Sequence, residues 1–95
     1  MKLSVIIVSF NVRSYLRQCL NSLFASSHIS QLEVIVVDNY SYDDSCALIN
    51  NEFPQIKLIE NQKNVGFSVA INQGIKVAKG EYICFLNPDT LIQEN

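Results

Sequence analysis

The 95-residue chain has a single histidine, three cysteines and three glycines, and only 17% of its residues are charged. Each shortage removes a class of chemistry. His28 sits in the polar stretch 26–31, so no Ser/His/Asp set can form around it, and with cysteines at 19, 46 and 84 it gives no zinc spacing. Those cysteines are odd in number and lack a Cys-x-x-Cys pair, so they read as small apolar residues of a reduced protein. Seven cations against nine acids leave a net charge of −2. Without a basic surplus the chain cannot displace counterions from phosphates, which excludes an electrostatic nucleic-acid binder. The cations Lys2, Arg13, Arg17, Lys57, Lys63, Lys76 and Lys79 are scattered, so no polybasic membrane patch forms. No apolar run approaches the length needed to span a bilayer. Residues 1–10 imitate a signal peptide only in placing Lys2 before an apolar stretch. Ser4, Ser9, Asn11 and Arg13 interrupt it, and no small-residue cleavage site follows. The expected location is the cytoplasm.

What the chain does contain is apolar residues, 48% of the total, enough for one core in one domain. Four short runs, 3–8, 34–37, 56–59 and 82–86, are nearly continuous and rich in β-branched or aromatic residues. Unbroken hydrophobicity means that both faces are covered, as in a parallel sheet. Between the first two runs, Val12, Leu16, Cys19, Leu20, Leu23 and Phe24 recur every three or four residues, the period of a helix. Phe67, Ala70, Ile71, Gly74, Ile75 and Ala78 do the same later, with Gly80 placed as a helix stop. Between them, Ser41 is expected to cap a second helix, with Asp43 and Asp44 at its positive end and Pro54 ending it. The order β-α-β-α-β-α-β gives a Rossmann-like three-layer αβα fold with a mostly parallel sheet.

In such sheets ligands bind beyond the carboxyl ends of the strands. Four loops should open there: 9–11, 38–41, 61–66 and 87–90. Asp38 directly ends the second apolar run. It serves either as a turn former capping its own loop or as a hydrogen-bond acceptor for a base or ribose. Pro88 forces Asn87 into an extended backbone. Asn87 and Asp89 could therefore hold a hard divalent cation while a diphosphate supplies further oxygens, or simply form a turn before a capped helix. At 64–67, Gly66 permits close backbone approach, and the first-turn N–H groups of the third helix could face an anion. The segment is no P-loop, because no Gly-Lys-Ser/Thr follows, and Ser9-Phe10-Asn11 is no dinucleotide turn. Tyr40 and Tyr42 could stack on a base or merely occupy a turn.

In series, these segments resemble the family 2 glycosyltransferases with a GT-A fold. The resemblance is carried by Val5-Ile6-Ile7-Val8-Ser9-Phe10-Asn11 and by Glu33-Val34-Ile35-Val36-Val37-Asp38-Asn39. It continues in residues 64–74 and in Gly80-Glu81-Tyr82-Ile83-Cys84-Phe85-Leu86-Asn87-Pro88-Asp89. The Asn-Pro-Asp form and the Asn-x-Gly-Phe segment look most like a rhamnosyltransferase-type branch of polysaccharide synthesis. The resemblance implies that Ser9 and Asn11 line a nucleotide pocket and that Asp38 accepts a hydrogen bond from a uracil- or thymine-type base. Asn64, Gly66 and Phe67 would shape the wall near nucleotide and sugar. Asn87 and Asp89 would occupy the Asp-x-Asp position and hold Mg²⁺ or Mn²⁺, with Asn87 replacing the first aspartate.

The same resemblance makes residues 1–95 the amino-terminal, donor-binding part of a metal-dependent, inverting enzyme. A UDP- or dTDP-sugar would be the donor and a saccharide or lipid-linked saccharide the acceptor, at the inner face of the membrane. The acceptor-binding part and the general base would lie beyond Asn95, leaving this piece inactive alone and prone to self-association through the sheet edge at 82–86. Two other readings compete. A phospho-receiver-like regulatory module would need acidic residues at the first strand end, and a nucleotidyltransferase would need a Gly-rich basic loop there. Ser9-Phe10-Asn11 supplies neither.

Overall fold

The structure, a computed structural model, describes residues 2–88. Strands and helices alternate as the apolar pattern requires: β1 (Leu3–Ser9), α1 (Arg13–Phe24), a 3-10 turn at Ile29–Gln31, β2 (Leu32–Asp38) and α2 (Ser45–Glu52), followed by β3 (Lys57–Glu60), α3 (Phe67–Val77) and β4 (Tyr82–Phe85). The sheet order is β3-β2-β1-β4 and every pairing is parallel. The chain thus walks from β1 out to β3 and then returns to the far side of β1, so the direction of winding reverses between β1 and β4. Such a reversal opens a crevice at the carboxyl ends of the two strands.

Period-two alternation divides the sheet into two apolar faces. Val5 and Ile7 of β1 and Val34 and Val36 of β2 pack with Leu16, Cys19, Leu20 and Leu23 of α1 and with Leu48 and Ile49 of α2. Ile6, Ile35 and Val37 face the other way, onto Ala70 of α3. At roughly 1.5–3 kcal/mol for each large aliphatic side chain taken out of water, these two layers are the main stabilising contribution. Gly74 lets α3 lie directly on β1, since a Cβ there would stand 2.7 Å from Ile6 Cγ2.

Two expectations need correcting. Gly80 does not stop α3, which ends at Val77 with Ala78 as its cap. It is glycine because the chain grazes β1: a Cβ would lie 2.6 Å from the Ser4 backbone nitrogen, and the Gly80 N–H donates to Ser4 Oγ at 2.8 Å. Ser41 does not cap α2 either. That helix begins at Ser45, where the Asp43 carboxylate accepts from both the backbone N–H and the hydroxyl of Ser45. Burial would raise the Asp43 pKa. The Ser45 hydroxyl and the N–H groups of Arg13 and Ser45 outweigh that and hold it below the ordinary aspartate value.

At the amino ends of the strands lies a buried carboxylate that an apolar-run reading cannot see. Glu33 accepts from Ser4 Oγ at 2.7 Å, from the Lys79 N–H at 2.8 Å and from Lys57 Nζ at 2.8 Å. It ties β1, β2, β3 and the segment entering β4 together.

Candidate functional site

The carboxyl ends of the strands carry the predicted loops, and hydrogen bonds lock the first two together. The Asn11 N–H donates to Ser41 Oγ at 2.9 Å, the Tyr42 N–H donates to Asn11 Oδ1 at 2.9 Å, and the Arg13 N–H donates to Asp43 Oδ2 at 3.0 Å. Asn11, Tyr40 and Asp44 hold left-handed backbone angles, φ 51°, 70° and 66°. Asparagine and aspartate tolerate that region, but a tyrosine there marks a constrained turn. Phe10 and Tyr42 meet edge to face, with centroids 6.2 Å apart. Asn11, expected to line a pocket, spends its side-chain oxygen joining the two loops.

Ser9 and Asp38 are register partners at the ends of β1 and β2. Both are buried, Asp38 to 1% exposure. Asp38 Oδ2 accepts from the Ser41 N–H at 2.8 Å. Asp38 Oδ1 and Ser9 Oγ have no hydrogen-bond partner among the described residues. A buried polar atom left unpaired costs on the order of 1–3 kcal/mol, and a carboxylate oxygen more, so two such atoms at paired strand ends call for an explanation.

Asp38 lines a cavity of about 310 Å³ with Tyr40, Ser41, Tyr42, Cys46, Glu60 and Asn61 among its walls. Glu60 is the register partner of Asp38 on β3. Burial first, then the Asp38 and Glu60 carboxylates, through their charges and as acceptors for the thiol hydrogen, push the Cys46 thiol far up, so it stays protonated. It contributes bulk to the wall rather than a nucleophile.

Asn64, Gly66 and Phe67 stand at the start of α3, which packs on the opposite face of the sheet from α1 and α2. Gly66 has φ 84° and ψ 170°, a region essentially reserved for glycine. Asn64 Oδ1 accepts the Gly66 N–H at 2.8 Å, so this oxygen shapes the turn and leaves the Asn64 amide nitrogen for other contacts. Phe67 is exposed.

The residues that bridge these two groups escape a sequence reading. Asn39 and Asn61 join the β2 and β3 loops, and Asn61 pairs reciprocally with Gln73 of α3 at 2.8 and 2.9 Å. Asparagine is such a common turn former that nothing in the pattern singles these out.

Asn87 follows the carboxyl end of β4 and lines a cavity of about 410 Å³ with Val12, Tyr15 and Pro88, separate from the one that holds Asp38. Asp89 lies outside the described residues. Among the described residues no three His, Cys, Asp or Glu side chains converge in a way that could hold a metal ion. The two cavities stand on either side of the β1–α1 loop, whose Val12 lines one while Asn11 is bonded to Ser41 and Tyr42 in the wall of the other.

Comparison with known proteins adds independent findings. The model of the family described as Glycosyl transferase family 2 matches residues 4–95. The chain is 37% identical over 91 residues to the uncharacterized glycosyltransferase YibD of Escherichia coli K12, covering 93% of this chain and 26% of that protein. It is 35% identical over 97 residues to the poly(ribitol-phosphate) beta-glucosyltransferase of Bacillus spizizenii, covering 97% of this chain and 15% of that one. Among solved structures, S. aureus TarS 1-349 in complex with UDP-GlcNAc matches with a TM-score of 0.85 and 30% identity, over 94% of this chain and 27% of that one. The mannosyltransferase PcManGT from Pyrobaculum calidifontis shares the fold at a TM-score of 0.85 and 24% identity, over 95% and 28%. The chain therefore spans 15–28% of the lengths of these proteins. Among the described residues no helix is long and apolar enough to cross a membrane.

Proposed function

The chain belongs to glycosyl transferase family 2, with the α/β architecture of its GT-A neighbours, and we propose that it is the part of a glycosyltransferase that binds the nucleotide-sugar donor. The observation that carries this reading is the pair of buried, unpartnered atoms Asp38 Oδ1 and Ser9 Oγ at adjacent strand ends. A uracil or thymine base offers one ring N–H beside carbonyl oxygens. Asp38 would accept that N–H, and the Ser9 hydroxyl can donate to a neighbouring oxygen. A UDP- or dTDP-sugar is therefore the proposed donor, which the likeness to TarS bound to UDP-GlcNAc supports. Asn11 would hold the loop over the nucleotide, and Asn64, Gly66 and Phe67 would form its far wall.

The donor set at residues 87–89 fits a hard divalent cation, Mg²⁺ or Mn²⁺. Asn87 would offer an amide oxygen, and Asp89 a carboxylate one rigid proline away. Two protein oxygens plus a substrate diphosphate are what Mg²⁺ sites use. When bound, such an ion neutralises the diphosphate that leaves.

For the whole protein the proposal extends to inverting transfer onto a saccharide or lipid-linked acceptor at the cytoplasmic face of the membrane, in cell-surface polysaccharide synthesis, with rhamnose as a candidate sugar. The relative named as a poly(ribitol-phosphate) beta-glucosyltransferase supports a polymeric acceptor. The experiment uses the full-length protein with UDP- and dTDP-sugars and follows release of nucleoside diphosphate. Release should require Mg²⁺ or Mn²⁺ and fall roughly a hundredfold in Asp89→Ala. Release that survives chelation and this substitution contradicts the metal assignment, and no release from any such sugar contradicts the donor class.

The edge of β4 carries a smaller proposal. Tyr82, Ile83 and Phe85 are 61%, 41% and 53% exposed, and among the described residues β4 pairs only with β1. An open apolar edge of this kind invites strand pairing. Sedimentation of the 95-residue chain over a range of concentrations should therefore show oligomers, whereas a concentration-independent monomer contradicts the proposal.

A further inference from the structure

We propose that Asn39 is a positioning residue, which fixes the wall made by Asn64, Gly66 and Phe67 at a set distance from Asp38. The inference rests on the assignment of this site to a nucleotide donor. Asn39 directly follows Asp38, is 3% exposed and is anchored by its own N–H to the Ser9 carbonyl at 2.8 Å. From that fixed point its side chain reaches across to the loop between β3 and α3. Its Oδ1 accepts from Asn61 Nδ2 at 2.9 Å and from the Val65 N–H at 3.4 Å, and its Nδ2 donates to the Gly66 carbonyl at 3.2 Å. Both acceptor positions of the amide oxygen and one of its two N–H donors are thereby used.

The loop has one backbone tie to β2, the Asn61 N–H to the Asp38 carbonyl at 2.9 Å. Beyond Asn61 it is the Asn39 amide that holds Val65 and Gly66 to the strand. Gly66 is the residue whose backbone angles turn the chain into α3, with Phe67 as the first residue of the helix. Asn39 therefore sets where that turn stands, while its neighbour Asp38 meets the base. In the proposed site, the acceptor for the base and the turn that would form the far wall are thus referred to two consecutive residues.

The test measures UDP and dTDP affinity by calorimetry on the full-length protein and on Asn39→Ala, Asn61→Ala, Phe67→Ala and the double variant Asn39→Ala/Phe67→Ala. Amide hydrogen exchange across residues 62–66 is followed alongside. Asn39→Ala should weaken the nucleotide at least tenfold and Asn61→Ala by a smaller factor. Exchange at 62–66 should accelerate while β2 stays protected. Phe67 is exposed, so its removal reports on the wall rather than on stability. The loss in the double variant should be smaller than the product of the single losses, because a wall already displaced has less to lose. Losses that multiply, or full affinity in folded Asn39→Ala and Asn61→Ala, overturn the proposal. Should Asn39→Ala fail to fold, Asn61→Ala decides: full affinity with unchanged exchange overturns the proposal. A wild-type protein that binds neither nucleotide refutes the donor assignment instead. In that case the exchange data alone decide whether Asn39 holds the loop.

Discussion

Replacing Asp38 by asparagine is expected to weaken UDP or dTDP binding to the full-length protein by roughly 10- to 100-fold, while the melting temperature of the free protein stays the same or rises. The two halves of this expectation have one cause. In the free protein Asp38 Oδ1 is buried and accepts no hydrogen bond among the described residues. A carboxylate held in that state destabilises the fold, and the cost is offset only when a donor arrives. Hydrogen bonds to charged groups contribute about 1.5–3 kcal/mol, which sets the size of the affinity loss. An amide of the same shape can keep an oxygen towards the Ser41 N–H while shedding the buried charge. Loss of binding together with unimpaired stability is the mark of a group kept for its ligand. A variant that melts far lower and binds normally would place Asp38 among the structural turn residues.

Glu33 should behave in the opposite way. Burial alone would raise its pKa, but the Lys57 hydrogen bond, the Lys79 N–H, the Ser4 hydroxyl and the Lys57 charge together lower it from 4.5 to about 2. Because the folded-state value lies below the unfolded one, the stabilisation is fully present above pH 4.5. It is lost as the pH falls through about 2. The displacement corresponds to about 2–3 kcal/mol once screening at the partly exposed Lys57 is allowed for. Glu33→Gln should therefore lower the melting temperature at pH 7 by roughly 10–20 °C and flatten the acid limb of the stability curve between pH 4.5 and 2. Nucleotide binding by the folded variant should be unchanged, since Glu33 sits at the amino end of β2, away from Asp38 at its carboxyl end. A melting temperature within a degree or two of wild type would show that the buried carboxylate contributes nothing net.

The contrast between these two carboxylates explains what the sequence could and could not disclose. Strands of the kind found at 3–9 and 32–38 reveal themselves because a strand covered on both faces must be apolar throughout. Their alternation with helices then places residues 9–11, 38–41 and 61–66 at one end of the sheet before any side chain is examined. Asp38 was legible for that reason: an acid directly after a buried run has to stand at the rim. Glu33 was not, since a carboxylate satisfied by Ser4, Lys57 and Lys79 lies inside a strand whose apolar run starts only at Val34. Gly80 was visible as a glycine but not as the point where the chain grazes Ser4, because that contact joins residues 76 apart in sequence. Ser41 looked like a helix cap, and its hydroxyl instead accepts from Asn11 on the neighbouring loop. The Asn39–Asn61–Gln73 network has the same character, with each amide unremarkable locally and meaningful only across three elements.

The central claim is that the unpartnered atoms at the ends of β1 and β2 await a nucleotide base. Calorimetric titration of the full-length protein with UDP and dTDP, beside Asp38→Asn, tests it most directly. The account predicts saturable binding of at least one of the two nucleotides, weakened at least tenfold by the substitution. Binding that is indifferent to Asp38→Asn, or no binding of either nucleotide by the wild-type protein, would contradict it.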